Sequence, residues 1–131
     1  MSGVPEDEDP TKVTGGGRVL TISEVALLLE GLKTATEQRD PDAALDPVMR
    51  KTKDYVDRFR TAKSAAVVQQ MRDMLIRYDL SDHDMGSLAN LLPDDPDEAR
   101  ALIPSLELNP KLDDDTLQSL LLDLKSFVRI E

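Results

Sequence analysis

His83 is the single histidine of this 131-residue chain, and it lies between two carboxylates, Asp82 and Asp84. Histidine and carboxylate side chains can ligate a divalent metal ion or exchange protons as an acid–base pair. Three consecutive residues of a helix point in different directions, however, so these side chains do not converge on one ion. We therefore expect His83 to be solvated on the surface.

Two runs of acids, 94–98 and 113–115, are candidates for calcium binding. A calcium loop places its ligands at alternate positions, turns at a central glycine and closes with a glutamate. Neither run contains a glycine. Both are better interpreted as helix caps, because carboxylates accept hydrogen bonds from the free backbone amides of a helix start.

Other catalytic patterns are incomplete. The run Gly15-Gly16-Gly17-Arg18 lacks the Lys-Ser/Thr end and the preceding strand of a phosphate-binding loop, so it predicts a flexible linker. No serine has a histidine or lysine placed to activate it, and the chain has no cysteine. We predict no catalytic residue, no metal and no cofactor, and hence a protein that is not itself an enzyme.

The net charge of the chain limits the kinds of partner that it can bind. The chain carries 26 acidic and 16 Lys or Arg residues, a formal net charge of −10. Because phosphate contacts supply most of the affinity for nucleic acid, we expect little or no direct nucleic-acid binding by this chain. No run of about eighteen apolar residues is present, so we expect no membrane span, and the acidic segment 1–9 does not resemble a signal peptide.

The elements that position these residues are predicted to be helices. Aromatic residues make up 3% of the chain and tryptophan is absent, so the core must consist of Leu, Val, Ile, Ala and Met, which favours helix packing. We predict an all-α fold in three parts: a disordered acidic tail at 1–17, a partner-docking segment with two helices at 18–63, and a bundle of short helices at 64–131.

Capping residues predict where the helices begin. Ser23 is a candidate N-cap for the first helix, with an incomplete capping box because Ala26 stands where an acid is expected. Residues 19–22 before it form an extended stretch that, as a strand, would need another chain to pair with. The five later starts are predicted at Asp46-Pro47, Ser64, Ser81, Asp95-Pro96 and Asp113, with Pro104 ending the fifth helix.

The second helix is the one net-basic segment of this acidic chain. Its cations are Arg50, Lys51, Lys53, Arg58, Arg60 and Lys63. Three interpretations of these cations are open: a face exposed to solvent, a docking site for an acidic surface of a partner protein, and a contact with RNA or DNA. We favour protein docking over nucleic acid, because Tyr55 and Phe59 fall on the apolar stripe and do not alternate with the cations for base stacking.

Four stretches resemble one known family. They are ISEVALLLE at 22–30, KTKDYVDRF at 51–59, LIPSLE at 102–107 and DDDTLQ at 113–118. In this order they are similar to the fourth subunit of eukaryotic RNA polymerase II, which is related to an archaeal RNA polymerase stalk protein and to the seventeen-kilodalton subunit of RNA polymerase III. The stretch at 102–107 favours the polymerase II branch.

This resemblance implies a non-catalytic subunit of the polymerase stalk in the nucleus. The chain would form an obligate heterodimer with a stalk subunit that carries an oligonucleotide-binding (OB) fold, sit on the polymerase core, and support transcription initiation and coupling to RNA processing. The bundle from Ser64 onward would resemble the helicase-and-RNase-D C-terminal (HRDC) domain. The alternatives are a free-standing HRDC-like nucleic-acid-binding module and an adaptor of another complex.

The apolar front of the chain predicts where the partner binds. An unpaired edge with a broad leucine face is too apolar to remain in water, so it indicates a permanent partner. We expect Val19, Leu20 and Ile22 to lie against the partner's sheet. The remaining predicted interface residues lie on the two helices: Val25, Leu28, Leu29, Leu32, Val48, Tyr55 and Phe59.

Overall fold

The computed structural model describes residues 18–130, and every regular element in that range is a helix, which confirms the all-α prediction. The predicted acidic tail at 1–17 lies outside the described residues. The elements are α1 (Ile22–Arg39), α2 (Pro47–Phe59), α3 (Ala65–Ile76), α4 (Asp82–Leu91), α5 (Pro96–Leu102), a 3₁₀ helix (Pro104–Leu108) and α6 (Asp114–Ile130). None of these helices has the length and apolar character needed to cross a membrane.

The start of α1 differs from the prediction. Its N-cap is Thr21, not Ser23: the Thr21 hydroxyl accepts a hydrogen bond from the Glu24 amide at 3.1 Å, and the Glu24 carboxylate accepts one from the Thr21 amide at 2.8 Å. The capping box is therefore complete. Ile22 is already helical, so the extended stretch ends at Thr21, and residues 18–20 form no regular structure.

The other predicted helix starts are confirmed, because a side chain at each predicted position accepts a hydrogen bond from a backbone amide two or three residues later. These caps are Asp46, Ser64, Ser81, Asp95 and Asp113. Helix α5 ends at Leu102, and the 3₁₀ helix begins at Pro104, as the position of this proline predicted.

A leucine-rich core holds the bundle of α3 to α6 together. Helix α6 contributes Leu117, Leu120, Leu121 and Leu124, all essentially buried, at the spacing of one helix face. They pack in one cluster with Met71 and Leu75 of α3, Leu88 of α4, and Leu106 of the 3₁₀ helix. The core therefore has the aliphatic composition that the sequence predicted.

Helices α1 and α2 pack on each other and form a helical hairpin, residues 22–59, beside the bundle. No residue from 27 to 55 is buried. The buried residues of this part of the chain lie at the start of α1 and at the end of α2: Thr21, Ser23, Ala26, Val56 and Ala62. The hairpin is thus attached to the bundle at one end, and its other end is exposed.

Candidate functional site

The attached end of the hairpin is held by a buried serine. The Ser23 hydroxyl oxygen accepts hydrogen bonds from the amides of Thr61 at 3.1 Å and Ala62 at 3.0 Å. The Thr61 hydroxyl in turn donates to the carbonyl of Ala89 in α4 at 2.9 Å. These bonds join the first turn of α1, the segment that follows α2, and the bundle.

An ion pair between a buried arginine and a partly buried glutamate makes the second attachment. Arg72 of α3 donates from Nε to Oε2 of Glu24 at 3.0 Å, pairs a second time with the same carboxylate, and donates from Nη2 to the Val19 carbonyl at 3.0 Å. Burial by itself would raise the pKa of Glu24, but the hydrogen bonds from Arg72 and Thr21 outweigh it. The pKa of Glu24 therefore lies below its ordinary value of 4.5.

These attachments involve the segment predicted to lie against a partner's sheet. The Val19 carbonyl is bonded to Arg72, and the Ile22 amide donates to Oδ1 of Asn90 at 2.9 Å. Val19, Leu20 and Ile22 are all partly buried, and Val19 lies close to Gly86 of α4. Two backbone groups that a strand would offer to a neighbour are thus used within the chain.

The leucines predicted on α1 divide into two groups. Leu28 is 61% exposed and Leu32 is also exposed, whereas Val25 and Leu29 are partly buried. Leu28 and Leu20 line one open cleft between α1 and the start of α3. The structure therefore brings Leu20 and Leu28 together, although the sequence analysis assigned only Leu20 to the segment that lies against the partner's sheet and placed Leu28 on a helix.

Helix α2 exposes four large apolar side chains, Met49 among them. Val48 is 73%, Tyr55 57% and Phe59 50% exposed. The rings of Tyr55 and Phe59 contact each other, with centroids 4.7 Å apart and planes tilted by 43°. Two contacting aromatic side chains that are both at least half exposed are unusual on a surface that faces only water. Aromatic residues are enriched at protein–protein interfaces.

The basic residues of α2 also divide into two groups. Lys53 pairs with Asp57, and Arg60 donates to the carbonyls of Ala62 at 2.9 Å and Lys63 at 2.7 Å. The side chains of Arg50, Lys51 and Arg58 are exposed and make no hydrogen bond or ion pair with any residue in the range 18–130. The uncompensated positive charge of α2 is therefore limited to these three.

The residues singled out for chemistry are placed apart from the hairpin. His83 is exposed, as predicted, and Asp84 is buried where it accepts a hydrogen bond from the Ser105 hydroxyl. Within residues 18–130, no cluster of three or more His, Cys, Asp or Glu side chains could hold a metal ion. The glycine run at 15–17 lies outside the described residues.

Sequence reasoning missed the residues that attach the hairpin: Ser23, Glu24, Arg72 and Asn90. One signal was available for Glu24, because Thr21-x-x-Glu24 is a complete capping box. A second was available for Arg72, since it falls between Met71 and Leu75 on the apolar face of α3. A charged residue on such a face requires a buried partner.

Comparison with known protein families bears directly on this architecture. A family model described as RNA polymerase Rpb4 matches residues 19–128, which include both the hairpin and the bundle. The chain belongs to the RNA polymerase Rpb4 family. The resemblance to the fourth subunit of RNA polymerase II, drawn from four short stretches, is thereby confirmed.

Named relatives of the Rpb4 family match over most of their length. The chain is 32% identical to "DNA-directed RNA polymerase II subunit rpb4" of Dictyostelium discoideum, covering 95% of this chain and 92% of that protein. It is 32% identical to "DNA-directed RNA polymerase II subunit 4" of Arabidopsis thaliana over the whole of both chains. The identity to the Schizosaccharomyces pombe subunit rpb4 is 29%, over 86% of this chain and 82% of that protein.

Proposed function

We propose that this Rpb4-family chain is a non-catalytic subunit of nuclear RNA polymerase II. The names of its relatives in Dictyostelium and Arabidopsis, each similar over nearly the full length of both chains, support the assignment to that polymerase. In this role the chain acts by binding other subunits, and it supports initiation and the coupling of transcription to RNA processing.

The partner that we propose is the stalk subunit with an OB fold, bound as a heterodimer on the polymerase core. A single observation carries this proposal: the hairpin has no buried residue from 27 to 55, yet it exposes Leu28, Val48 and Tyr55 by more than half. Over this span the two helices contact each other without burying a side chain, so they gain less stability from packing than the helices of the bundle do. A second polypeptide that covers them would supply the missing burial.

We assign partner docking to residues 18–63 and an HRDC-like supporting bundle to residues 64–131. The proposed interface consists of Val19, Leu20, Ile22, Val25, Leu28, Leu29, Leu32, Val48, Tyr55 and Phe59. The net charge of −10 favours a chain that makes little direct contact with nucleic acid. A free-standing nucleic-acid-binding module would instead bind single-stranded RNA without a partner, in a salt-dependent manner.

The test is co-purification of tagged full-length chain with the OB-fold stalk subunit and polymerase core. The variant Leu28→Asp with Leu32→Asp places two charges on the exposed side of α1, and we expect it to lose the stalk subunit. The matched control is Leu108→Asp with Leu122→Asp, since both leucines are exposed on the bundle. Undiminished co-purification of the α1 variant, with unchanged helicity by circular dichroism, would refute the proposed interface.

A further inference from the structure

The exposed cations of α2 lie beside its exposed aromatic rings. Lys51 and Tyr55 are four residues apart, and Tyr55 and Arg58 are three apart, so the three side chains are neighbours on one helix face. Phe59 follows on the same side and contacts Tyr55. Positive charge therefore borders the ring pair along the helix.

Like Arg50, Lys51 and Arg58 are exposed, and their side chains form no hydrogen bond or ion pair within the described part of the chain. They differ from Arg50 because they lie four and three residues from Tyr55, next to its ring on the helix. Lys53 pairs with Asp57, and Arg60 pairs with Asp57 and donates to a backbone carbonyl beyond the helix. These contacts fix the end of α2. No acid in the range 18–130 pairs with Lys51 or Arg58, although acids outnumber bases in the protein. Their charge is available to another molecule.

We propose that the polypeptide that covers Tyr55 and Phe59 presents acidic side chains to Lys51 and Arg58. This inference rests on the proposed function, and it adds the chemistry of the partner's surface: an apolar patch that receives the two rings, bordered by carboxylates. Cations at the edge of such a contact lose part of their hydration, and opposite charges compensate that loss. They also accelerate the encounter of the two proteins by electrostatic steering.

Charge complementarity favours a protein over a nucleic acid as the occupant. Binding of single-stranded nucleic acid uses a basic groove along several phosphates together with rings that are free to stack on bases. Here two cations flank two rings that already contact each other, on a chain with a net charge of −10. A long polyanion is repelled by the acidic rest of the molecule along its whole length, whereas a small acidic patch on a protein interacts mainly with the positive charge nearest to it and is repelled less.

The experiment measures association of the full chain with the OB-fold stalk subunit by stopped-flow fluorescence at about 50 and about 300 mM NaCl, conditions chosen to span weak and strong screening. The variant is Lys51→Glu with Arg58→Glu. Its control is Arg77→Glu with Arg129→Glu, which produces the same change in net charge at two exposed sites of the bundle. We expect the α2 variant to associate about tenfold more slowly than the control at low salt, with the difference largely screened at high salt.

The outcomes separate this inference from the proposed function. If the Leu28→Asp, Leu32→Asp variant fails to bind while the α2 variant associates like its control at both salt concentrations, the acidic patch is refuted and the interface stands. If the leucine variant binds normally, the interface itself is refuted. If the α2 variant changes only the binding of a fluorescent single-stranded RNA to the free chain, the occupant is a nucleic acid and the inference is overturned.

Discussion

The guanidinium of Arg72 in α3 binds the carboxylate of Glu24 in α1, although 48 positions separate them in the chain; Arg72 is buried and Glu24 is partly buried. The same carboxylate closes the capping box of α1, and the same guanidinium holds the Val19 carbonyl. One ion pair thus fixes where α1 begins and where the hairpin meets the bundle.

Replacing Arg72 with methionine should strongly destabilise the protein. The change leaves the partly buried Glu24 carboxylate without its cation, and removing one partner of a mostly buried pair costs about 3 kcal/mol. Urea unfolding followed by circular dichroism measures the free energy of unfolding. Arg77→Met serves as control, because Arg77 is exposed at the end of the same helix; equal losses for the two variants would contradict a structural role of the ion pair.

The ion pair also predicts how stability depends on pH. The pKa of Glu24 is lowered in the folded protein, so the unfolded state takes up its proton first as the pH falls. The stabilisation is complete above the unfolded value of 4.5 and is lost as the pH decreases through the lower, folded pKa. The difference in unfolding free energy between wild type and Glu24→Gln should therefore be largest near neutral pH and shrink below pH 4.5.

Urea titrations at a series of pH values from about 7 down to about 3 measure this difference. The control is Glu107→Gln, which makes the same chemical change at an exposed carboxylate on the 3₁₀ helix, and we expect it to alter the free energy of unfolding only slightly. A difference between wild type and Glu24→Gln that stays constant over the whole series would rule out the lowered pKa as its source.

Ser23→Ala should destabilise the attachment of the hairpin by about 2 kcal/mol, because it leaves the amides of Thr61 and Ala62 without their acceptor. Amide hydrogen exchange at these two positions should become faster at the same time. Ser119→Ala provides a matched change at an exposed helical site, where we expect less than about 0.5 kcal/mol. Unchanged exchange at Thr61 and Ala62 would count against the Ser23 contacts.

Shortening a leucine to alanine should cost far more stability on the buried side of α6 than on its exposed side. Leu117 is completely buried, so Leu117→Ala removes apolar contacts and leaves a cavity at a cost of about 3 kcal/mol. Leu122 lies on the same helix but is mostly exposed, and Leu122→Ala should cost less than about 0.5 kcal/mol. Thermal unfolding of the pair measures both, and a similar loss for each would mean that α6 is packed differently.

The helix starts that were predicted correctly are those at which the capping side chain binds a backbone amide close to it in the sequence. Asp46 and Ser64 cap amides two or three residues away, so residue type and spacing suffice to identify them. The start of α1 was misplaced because two hydroxyl residues, Thr21 and Ser23, compete for the cap. The hydroxyl of Ser23 is used by Thr61 and Ala62, a contact across 38 and 39 positions that no local pattern reveals.

The interface residues were predicted from apolar spacing, which cannot by itself say what covers a face. Leu117 and Leu28 stand on equally regular stripes, yet the first is covered by the chain's own bundle and the second is exposed. The difference depends on how the helices are arranged in three dimensions. The pairing of Arg72 with Glu24 was not predicted for the same reason.

A hairpin fixed at one end also has a mechanical consequence. Helix α1 has 18 residues and is therefore about 27 Å long. A rotation of about 10° around Ser23 and Glu24 would shift its distant end by roughly 5 Å, about one helical turn. A small change in the angle between the hairpin and the bundle would therefore produce a large displacement of a subunit bound to the exposed end of the hairpin. The contacts of Ser23 and Glu24 determine how rigidly the hairpin is coupled to the bundle.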